Sequence, residues 1–130
     1  MPRIAHAVLD SAAGYATAVR AGRHPLNADE PASRGGTDTG PSPYELLLAG
    51  LGACTAITLR MYAEKKGWNL GEFRAELSLA RDDDGKVQIH RTLHSDQPLK
   101  DEQWQRLLAA ADGLKTFLEE NKSKLKLKGE

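Results

Sequence analysis

The feature that most constrains this chain is an uncharged, apolar stretch from Leu46 to Leu59. At 14 residues it is shorter than the roughly 20 residues of a membrane span, which predicts a buried helix. A helix that is apolar on nearly every face must be covered on nearly every face. One chain of 130 residues offers little cover, so the stretch favours a partner subunit.

The signals that flank this stretch predict a helix from Pro43 to Lys66. Ser42 and Glu45 have the spacing of a capping box, and proline is tolerated at the first helical position. Gly67 is a natural end point for the helix. The glycines inside it, Gly50 and Gly52, weaken a helix, so the close approach of another backbone is expected to compensate.

The segments before this helix alternate weakly but carry turn signals between them. They predict three short strands at residues 3–9, 15–20 and 24–28. A loop rich in glycine and proline follows at residues 29–43.

After the helix, residues 72–81 alternate between apolar and polar side chains, and the alternation resumes at Val87. With a turn at Asp82–Gly85, this pattern predicts a β-hairpin with one covered face. Helical spacing follows from Asp101 to Leu118, with Gly113 as a point where the helix bends or breaks. The lysine-rich tail, residues 122–128, is predicted to be an edge strand.

Composition limits the classes of function. The chain has 18 basic and 18 acidic residues, so no overall field favours nucleic acid or an anionic membrane. Its single cysteine cannot form an intrachain disulfide, and the N-terminus does not resemble a signal peptide. We therefore expect a cytoplasmic protein with one domain over residues 1–130.

The chain shows no convincing metal or cofactor motif. His90 and His94 share a strand face, but no Cys or acidic residue is placed to complete a zinc site. Asp82–Gly85 lacks the rest of a calcium loop. Gly50 and Gly52 fall inside a helix and are not a dinucleotide-binding fingerprint. The predicted cofactor and metal content is therefore none.

Cys54 is the residue with the most chemical potential, and two interpretations of it stay open. In the first it is a buried cysteine that packs as a small hydrophobic residue. In the second it is a nucleophilic thiolate, which requires a nearby cation or hydrogen-bond donor. The helix dipole does not extend that far from the N-terminus, so an arginine from elsewhere is needed.

The segment from Gly35 to Ala49, continued by Leu51 to Thr55, resembles the signature of the OsmC-like superfamily. The predicted hairpin and the helix at 101–118 follow in the order seen in that family. The resemblance implies an α+β fold with antiparallel sheets wrapped around long central helices. It also implies an intertwined homodimer, in agreement with the excess of apolar residues in the helix.

In the peroxidase branches of that family, an Arg and a Glu orient a reactive cysteine on this helix. Cys54 matches the reactive cysteine, and Arg34 is the best match for the arginine, with Arg20 second. Tyr44 occupies the position of the glutamate. The neighbouring Glu45 lies about 100° further around the helix, so a capping role is expected for it.

The second, resolving cysteine of those branches is absent, because Gly113 and Leu114 stand where they carry Cys-Pro. An oxidised Cys54 would then need an external thiol, or Cys54 of the other subunit, to be reduced. The resemblance thus implies a one-cysteine, thiol-dependent peroxidase for small organic hydroperoxides. The alternative is a non-catalytic dimer that binds an apolar small molecule at the subunit interface.

Overall fold

The computed structural model describes the backbone of residues 2–120 and the side chains of residues 2–112. Over this range the chain combines antiparallel sheets with two long helices, which confirms the predicted α+β class. The chain divides between Gly50 and Leu51 into two compact units. The single domain over residues 1–130 stays a prediction. The predicted tail strand, residues 122–128, lies outside the described residues.

The first unit contains an antiparallel sheet in the order β1 (Ala7–Asp10), β2 (Thr17–Ala21) and β3 (His24–Ala28). The third predicted strand is confirmed at both ends. The prediction that the first strand begins at residue 3 is wrong. Its partner β2 ends opposite Ala7, and Gly22, with a φ of +62°, then turns the chain back. Residues 3–6 therefore have no strand beside them in this sheet.

The N-terminal cap of α1 (Pro43–Lys66) forms as the sequence predicts. The backbone N–H of Ser42 donates to Glu45 Oε1 over 3.0 Å, and the backbone N–H of Glu45 donates to Ser42 Oγ over 3.2 Å. Two N–H groups that helix geometry leaves without partners are thus satisfied reciprocally. This pair of bonds sets the first turn of the helix that carries Cys54.

The C-terminal end of α1 has the geometry of a Schellman motif. Gly67 has a φ of +71°, and its N–H donates to the carbonyl of Glu64 over 3.1 Å. The N–H of Trp68 donates to the carbonyl of Ala63 over 2.8 Å. Glycine enters this left-handed conformation without a steric penalty, so the predicted end of the helix is confirmed.

The second unit begins within α1 and continues into a hairpin of β4 (Phe73–Arg81) and β5 (Val87–Ser95). The apolar side chains of β4 are half-buried and the polar ones are exposed, as the alternation predicts. In the turn, Asp82 Oδ1 accepts from the N–H groups of Asp84 and Lys86 at 3.0 and 2.8 Å. The predicted turn is therefore confirmed.

The helix α2 (Asp101–Glu120) packs against α1 in this unit, and its backbone continues through Gly113 without a break. Between the two helices lies a small apolar core. Its buried residues are Leu59, Ala63, Leu70, Leu107 and Ala111. Aromatic side chains close its edge, with the rings of Tyr62 and Trp68 5.7 Å apart in an edge-to-face arrangement.

Most of α1 is uncovered within one chain, although its composition is apolar. Only Thr55, Leu59 and Ala63 are buried. Four large side chains are more than half exposed: Tyr44, Leu47, Ile57 and Met61. The helix also has the length and hydropathy of a membrane span, with 17% of the window buried, a composition that core helices of soluble proteins share.

The two glycines of α1 have different surroundings. A Cβ on Gly52 would lie 2.9 Å from Leu77 Cδ1, whereas nothing lies within 4 Å of one on Gly50. Within the chain a side chain of the hairpin makes the close contact at Gly52, and the approach of another backbone stays a prediction for a partner subunit. A larger residue at Gly52 would require the end of the Leu77 side chain to shift.

Candidate functional site

Cys54 lies in the middle of α1 and its thiol is free and exposed in the single chain. At 1.5 Å per residue it is about 16 Å from the start of the helix. The helix dipole acts over the first turn only. Any activation of the thiol must therefore come from side chains outside its own helix, as the sequence indicates.

Thr55, the residue after Cys54, is fully buried and connects the helix to the hairpin. Its hydroxyl donates to the carbonyl of Leu51 over 2.8 Å. It also accepts from Arg91 Nη1 of β5 over 3.4 Å. A polar group from the hairpin thus reaches the residue next to the thiol.

Arg91 joins three elements of the second unit. Its side chain is 17% exposed, and its Nη2 lies 3.4 Å from Oδ1 of Asp112 on α2. The side chain of Asp112 is 66% exposed, so the ion pair runs from a covered guanidinium to a carboxylate in water. Both contacts of Arg91 are at the long end of hydrogen-bond geometry.

A groove of about 600 Å³ opens beside Arg91, between α1, β5 and α2. We call it the Arg91 groove. Its lining residues are Leu51, Val87, Gln88, Ile89, Arg91, Leu108 and Asp112. Leu51 is three residues before Cys54, which places Cys54 about 60° around the helix axis from a residue of the wall. The groove therefore borders the helix face that carries the thiol.

The other predicted site residues belong to the first unit. Arg34 ends a short 3-10 helix, Ala32–Arg34, and lines a shallow concavity with Tyr15 and Glu30. Tyr44 is exposed in the first turn of α1. Arg20 lies on β2, also exposed. The grouping of Cys54 with Arg34 and Tyr44 stays a prediction.

Glu45 has the capping role that its position predicts. The hydrogen bond from the backbone of Ser42, with a smaller contribution from its hydroxyl, lowers the pKa of the Glu45 carboxyl. Its carboxylate is therefore stabilised as part of the helix start.

Asp29 is a buried acidic residue that no sequence pattern singled out. It is only 2% exposed, and its carboxylate accepts a bond from the backbone N–H of Glu30 over 2.7 Å. Thr37 donates its hydroxyl over 2.7 Å and its N–H over 3.2 Å. Thr39 donates its hydroxyl over 2.8 Å and its N–H over 3.1 Å.

The bonds from Thr37 above all, together with those from Thr39 and Glu30, hold the pKa of the Asp29 carboxyl far below its ordinary value. This carboxylate fixes the loop that leads into α1. Gly36 is required beside it, because a Cβ there would collide with the carbonyl of Glu30. The Thr-x-Thr pattern at residues 37–39, between glycines, is the sequence signal that could have located this anchor.

The histidines of the hairpin lie on its exposed face, His90 opposite Ser78 and His94 opposite Arg74. Over the part of the chain that the structure describes, no three His, Cys, Asp or Glu side chains are grouped so as to hold a metal ion.

Known proteins resemble the chain in both sequence pattern and fold. The sequence profile of the OsmC-like protein family matches residues 36–116. No protein of curated function is significantly similar to the chain in sequence.

Several solved structures share the fold. A protein of Psychrobacter arcticus, described as an osmotic stress induced and detoxification response protein, has a TM-score of 0.73 at 17% identity, with 85% of this chain and 84% of that one covered. The organic hydroperoxide resistance protein OhrB of Bacillus subtilis has a TM-score of 0.60 at 25% identity, covering 92% and 90%. An organic hydroperoxide resistance protein OsmC of Legionella pneumophila has a TM-score of 0.62 at 22% identity, covering 86% and 84%.

The family profile covers more than half of the chain and includes the loop from Gly36 onward, the whole of α1 with Cys54, and the hairpin. The fold agrees with it over most of both chains. The chain therefore belongs to the OsmC-like protein family.

Proposed function

We propose that this chain is a one-cysteine, thiol-dependent peroxidase that reduces small organic hydroperoxides through Cys54. The observation that carries the proposal is the exposed, free thiol of Cys54 in the middle of α1, within the segment that matches the family. Structural relatives described as organic hydroperoxide resistance proteins support the choice of substrate.

In the first step the Cys54 thiolate attacks the distal oxygen of the hydroperoxide. A sulfur–oxygen bond forms, the oxygen–oxygen bond breaks, and the alkoxide takes up a proton to leave as an alcohol. The sulfur is oxidised to a sulfenic acid and the peroxide is reduced. The thiolate is the nucleophile in this step, so the reaction needs a cation or hydrogen-bond donor near the sulfur.

In the second step an external thiol attacks the sulfenic acid, releases water and forms a mixed disulfide. A second thiol then displaces Cys54 and leaves as the oxidised disulfide. An external reductant is required because Cys54 is the only cysteine of the chain. Reduction by Cys54 of a second subunit would need the two Cα atoms within about 7 Å.

Arg34 is the proposed partner of the thiolate, with Arg20 as the second candidate, and Tyr44 takes the position of the usual glutamate. Tyr44 lies about 15 Å from Cys54 along the axis of their shared helix, so in the proposed dimer its phenol donates a hydrogen bond to the thiolate or to the leaving oxygen at the other subunit's Cys54. Tyr44→Phe removes that donor and keeps the ring, so it tests this role directly. We expect a loss of kcat with little change in KM if the bond forms in the transition state only.

The active form is proposed to be a homodimer that packs the uncovered face of α1 against a second copy. Large apolar side chains along that face are more than half exposed, Ile57 and Met61 among them. Contiguous apolar surface of this kind marks interaction sites. Light scattering should give twice the mass of one chain, and Met61→Asp should shift the protein to the monomer.

The catalytic proposal is tested by the consumption of cumene hydroperoxide with dithiothreitol as reductant. Wild-type protein should turn over and form a sulfenic acid that dimedone traps at Cys54. Cys54→Ser should lose both signals. Full activity of Cys54→Ser, or no turnover by wild type with any organic hydroperoxide, would falsify the proposal.

The alternative is a non-catalytic dimer that binds an apolar small molecule at its interface. The rate of alkylation of Cys54 as a function of pH distinguishes it from the peroxidase. A reactive thiolate gives rapid alkylation with a midpoint below about 7, whereas an ordinary thiol gives one near about 8.5. A slow reaction at the higher midpoint would favour the binding protein. A cytoplasmic location stays a prediction under either function.

A further inference from the structure

The Arg91 groove combines an apolar wall with a single covered cation. Its wall is formed by aliphatic side chains from three elements: Leu51 of α1, Val87 and Ile89 of β5, and Leu108 of α2. Val87, Ile89 and Leu108 are each between 44% and 51% exposed. The volume of about 600 Å³ lies within the range of small-molecule sites, which are mostly apolar with a few placed polar groups.

The placed polar group is the guanidinium of Arg91. It has five N–H donors in a planar fork, and in the described chain Nη1 and Nη2 each make one contact at 3.4 Å. Charge-assisted bonds to a well-placed carboxylate are shorter, about 2.7–2.9 Å, and are often bidentate. Arg91 therefore holds its charge in the groove with capacity for a better anionic partner.

We propose that the Arg91 groove is a binding site for an amphipathic monocarboxylate, a small molecule with one carboxylate and an unbranched apolar chain. The carboxylate pairs with the guanidinium of Arg91, in competition with Asp112. The chain lies along Leu51, Ile89 and Leu108. The charge of Arg91 specifies the head group, and the aliphatic wall specifies the body.

The groove lies close to Cys54, but binding in the groove does not require the thiol. Leu51 precedes Cys54 by three residues, or about 4.5 Å along the helix axis. A bound chain therefore passes close to the helix face that carries the sulfur. Binding needs no reaction at Cys54, so the proposal stands beside the proposed peroxidase activity and does not rest on it.

Calorimetric titration of the full chain with octanoate, hexanoate and butyrate tests the site in the absence of any peroxide. We expect affinity to rise with length by up to about fourfold per buried methylene. Octanoate should bind at least about tenfold more tightly than 1-octanol, since a charge-assisted bond distinguishes them. Equal binding of octanoate and 1-octanol would overturn the assignment.

Two variants test whether the carboxylate of the ligand binds to Arg91. Arg91→Gln should abolish the preference for octanoate over 1-octanol. Arg74→Gln removes the same charge from the exposed face of β4, where the arginine side chain is 72% exposed, and should bind as wild type does. Retention of the preference in Arg91→Gln, or its equal loss in Arg74→Gln, contradicts the proposal.

Asp112→Asn provides a second test, because this largely exposed residue can change without burying a new group. Removal of the competing carboxylate should raise the affinity for octanoate about twofold to fivefold, the range expected of an exposed ion pair. An unchanged or weaker affinity overturns the pairing with Arg91. Absence of binding by every chain length would mean that the groove is closed, for instance by a second copy of the chain, and refutes the site.

Discussion

Asp29 in the first compact unit and Arg91 in the second are both covered charges, but their hydrogen-bonding needs are met to very different degrees. Asp29 in the first unit is 2% exposed and accepts five hydrogen bonds between 2.7 and 3.2 Å. Arg91 in the second unit, 17% exposed at its side chain, makes two contacts of 3.4 Å. A buried charge needs partners to offset the loss of water.

This difference separates a structural charge from one that is available to a ligand. The five hydrogen bonds to Asp29 all come from its own loop, which makes the carboxylate an anchor of that loop. Arg91 contacts a hydroxyl and a mostly exposed carboxylate at long range. The comparison predicts that changes at Asp29 alter stability, whereas changes at Arg91 mainly alter binding.

The largest effect on stability is expected from Asp29→Asn. Asparagine removes the charge and replaces one carboxylate oxygen with an NH2 group, so at least one backbone N–H that now donates to Asp29 would face another donor. The urea midpoint should fall further than for any other substitution discussed here. Asp38→Asn is the matched control, since Asp38 is an exposed neighbour with a φ of 55°, a conformation that asparagine tolerates. Equal loss from both substitutions would refute the anchor.

Acid should weaken the fold through the same carboxylate. The pKa of Asp29 is lowered from an ordinary value of 3.8, so its contribution to stability is present above that value and is lost as the pH falls toward the folded pKa. Glu45, also lowered, adds in the same direction. Urea unfolding between pH 5 and pH 2 should show a steep loss for wild type. A slope just as steep in Asp29→Asn would contradict this assignment.

Ser42→Ala is expected to lower the free energy of unfolding by about 1 kcal/mol, the usual cost of removing an N-terminal cap. The Ser42 hydroxyl accepts the N–H of Glu45, and alanine leaves that group to water. Ser33→Ala, in the short 3-10 helix of the loop, is a control without a capping bond. Urea denaturation of the two variants measures the difference, and indistinguishable midpoints would show that the cap contributes nothing.

Arg91→Gln is expected to change stability least, lowering the free energy of unfolding by about 1 kcal/mol or less. Its ion pair leads to a mostly exposed carboxylate, and pairs of that kind contribute little. Glutamine also keeps part of the aliphatic stem. A loss that approaches the effect of Asp29→Asn would show that both charges are structural and would remove the contrast between the units.

Local patterns predicted the helical and hairpin elements well. The capping box at Ser42 and the glycine end at Gly67 depend on atoms within a few residues of each other, so their geometry follows from spacing. The alternation in residues 72–81 predicted the covered face of β4 for the same reason. The start of β1 was wrong because a strand's length depends on its partner, and β2 ends opposite Ala7.

The sequence predicted the cysteine of the candidate site but not the charged residues around it. Cys54 was identified from its place in the helix and from the resemblance to the family. Arg91 was missed because its contact with Thr55 spans 36 residues of sequence, and no periodic pattern relates the two. Asp29 was missed because it is separated by eight and ten residues from the threonines that bind it.

The sequence by itself determined the α+β class, the limits of the long helix and the family to which the chain belongs. These properties depend on caps, periodicity and a contiguous motif, all of which are short-range. Only the tertiary structure decided which charges are satisfied and which face of α1 is left uncovered. Those outcomes depend on how distant segments pack, and the free energy of a covered charge is set by the partners that packing supplies.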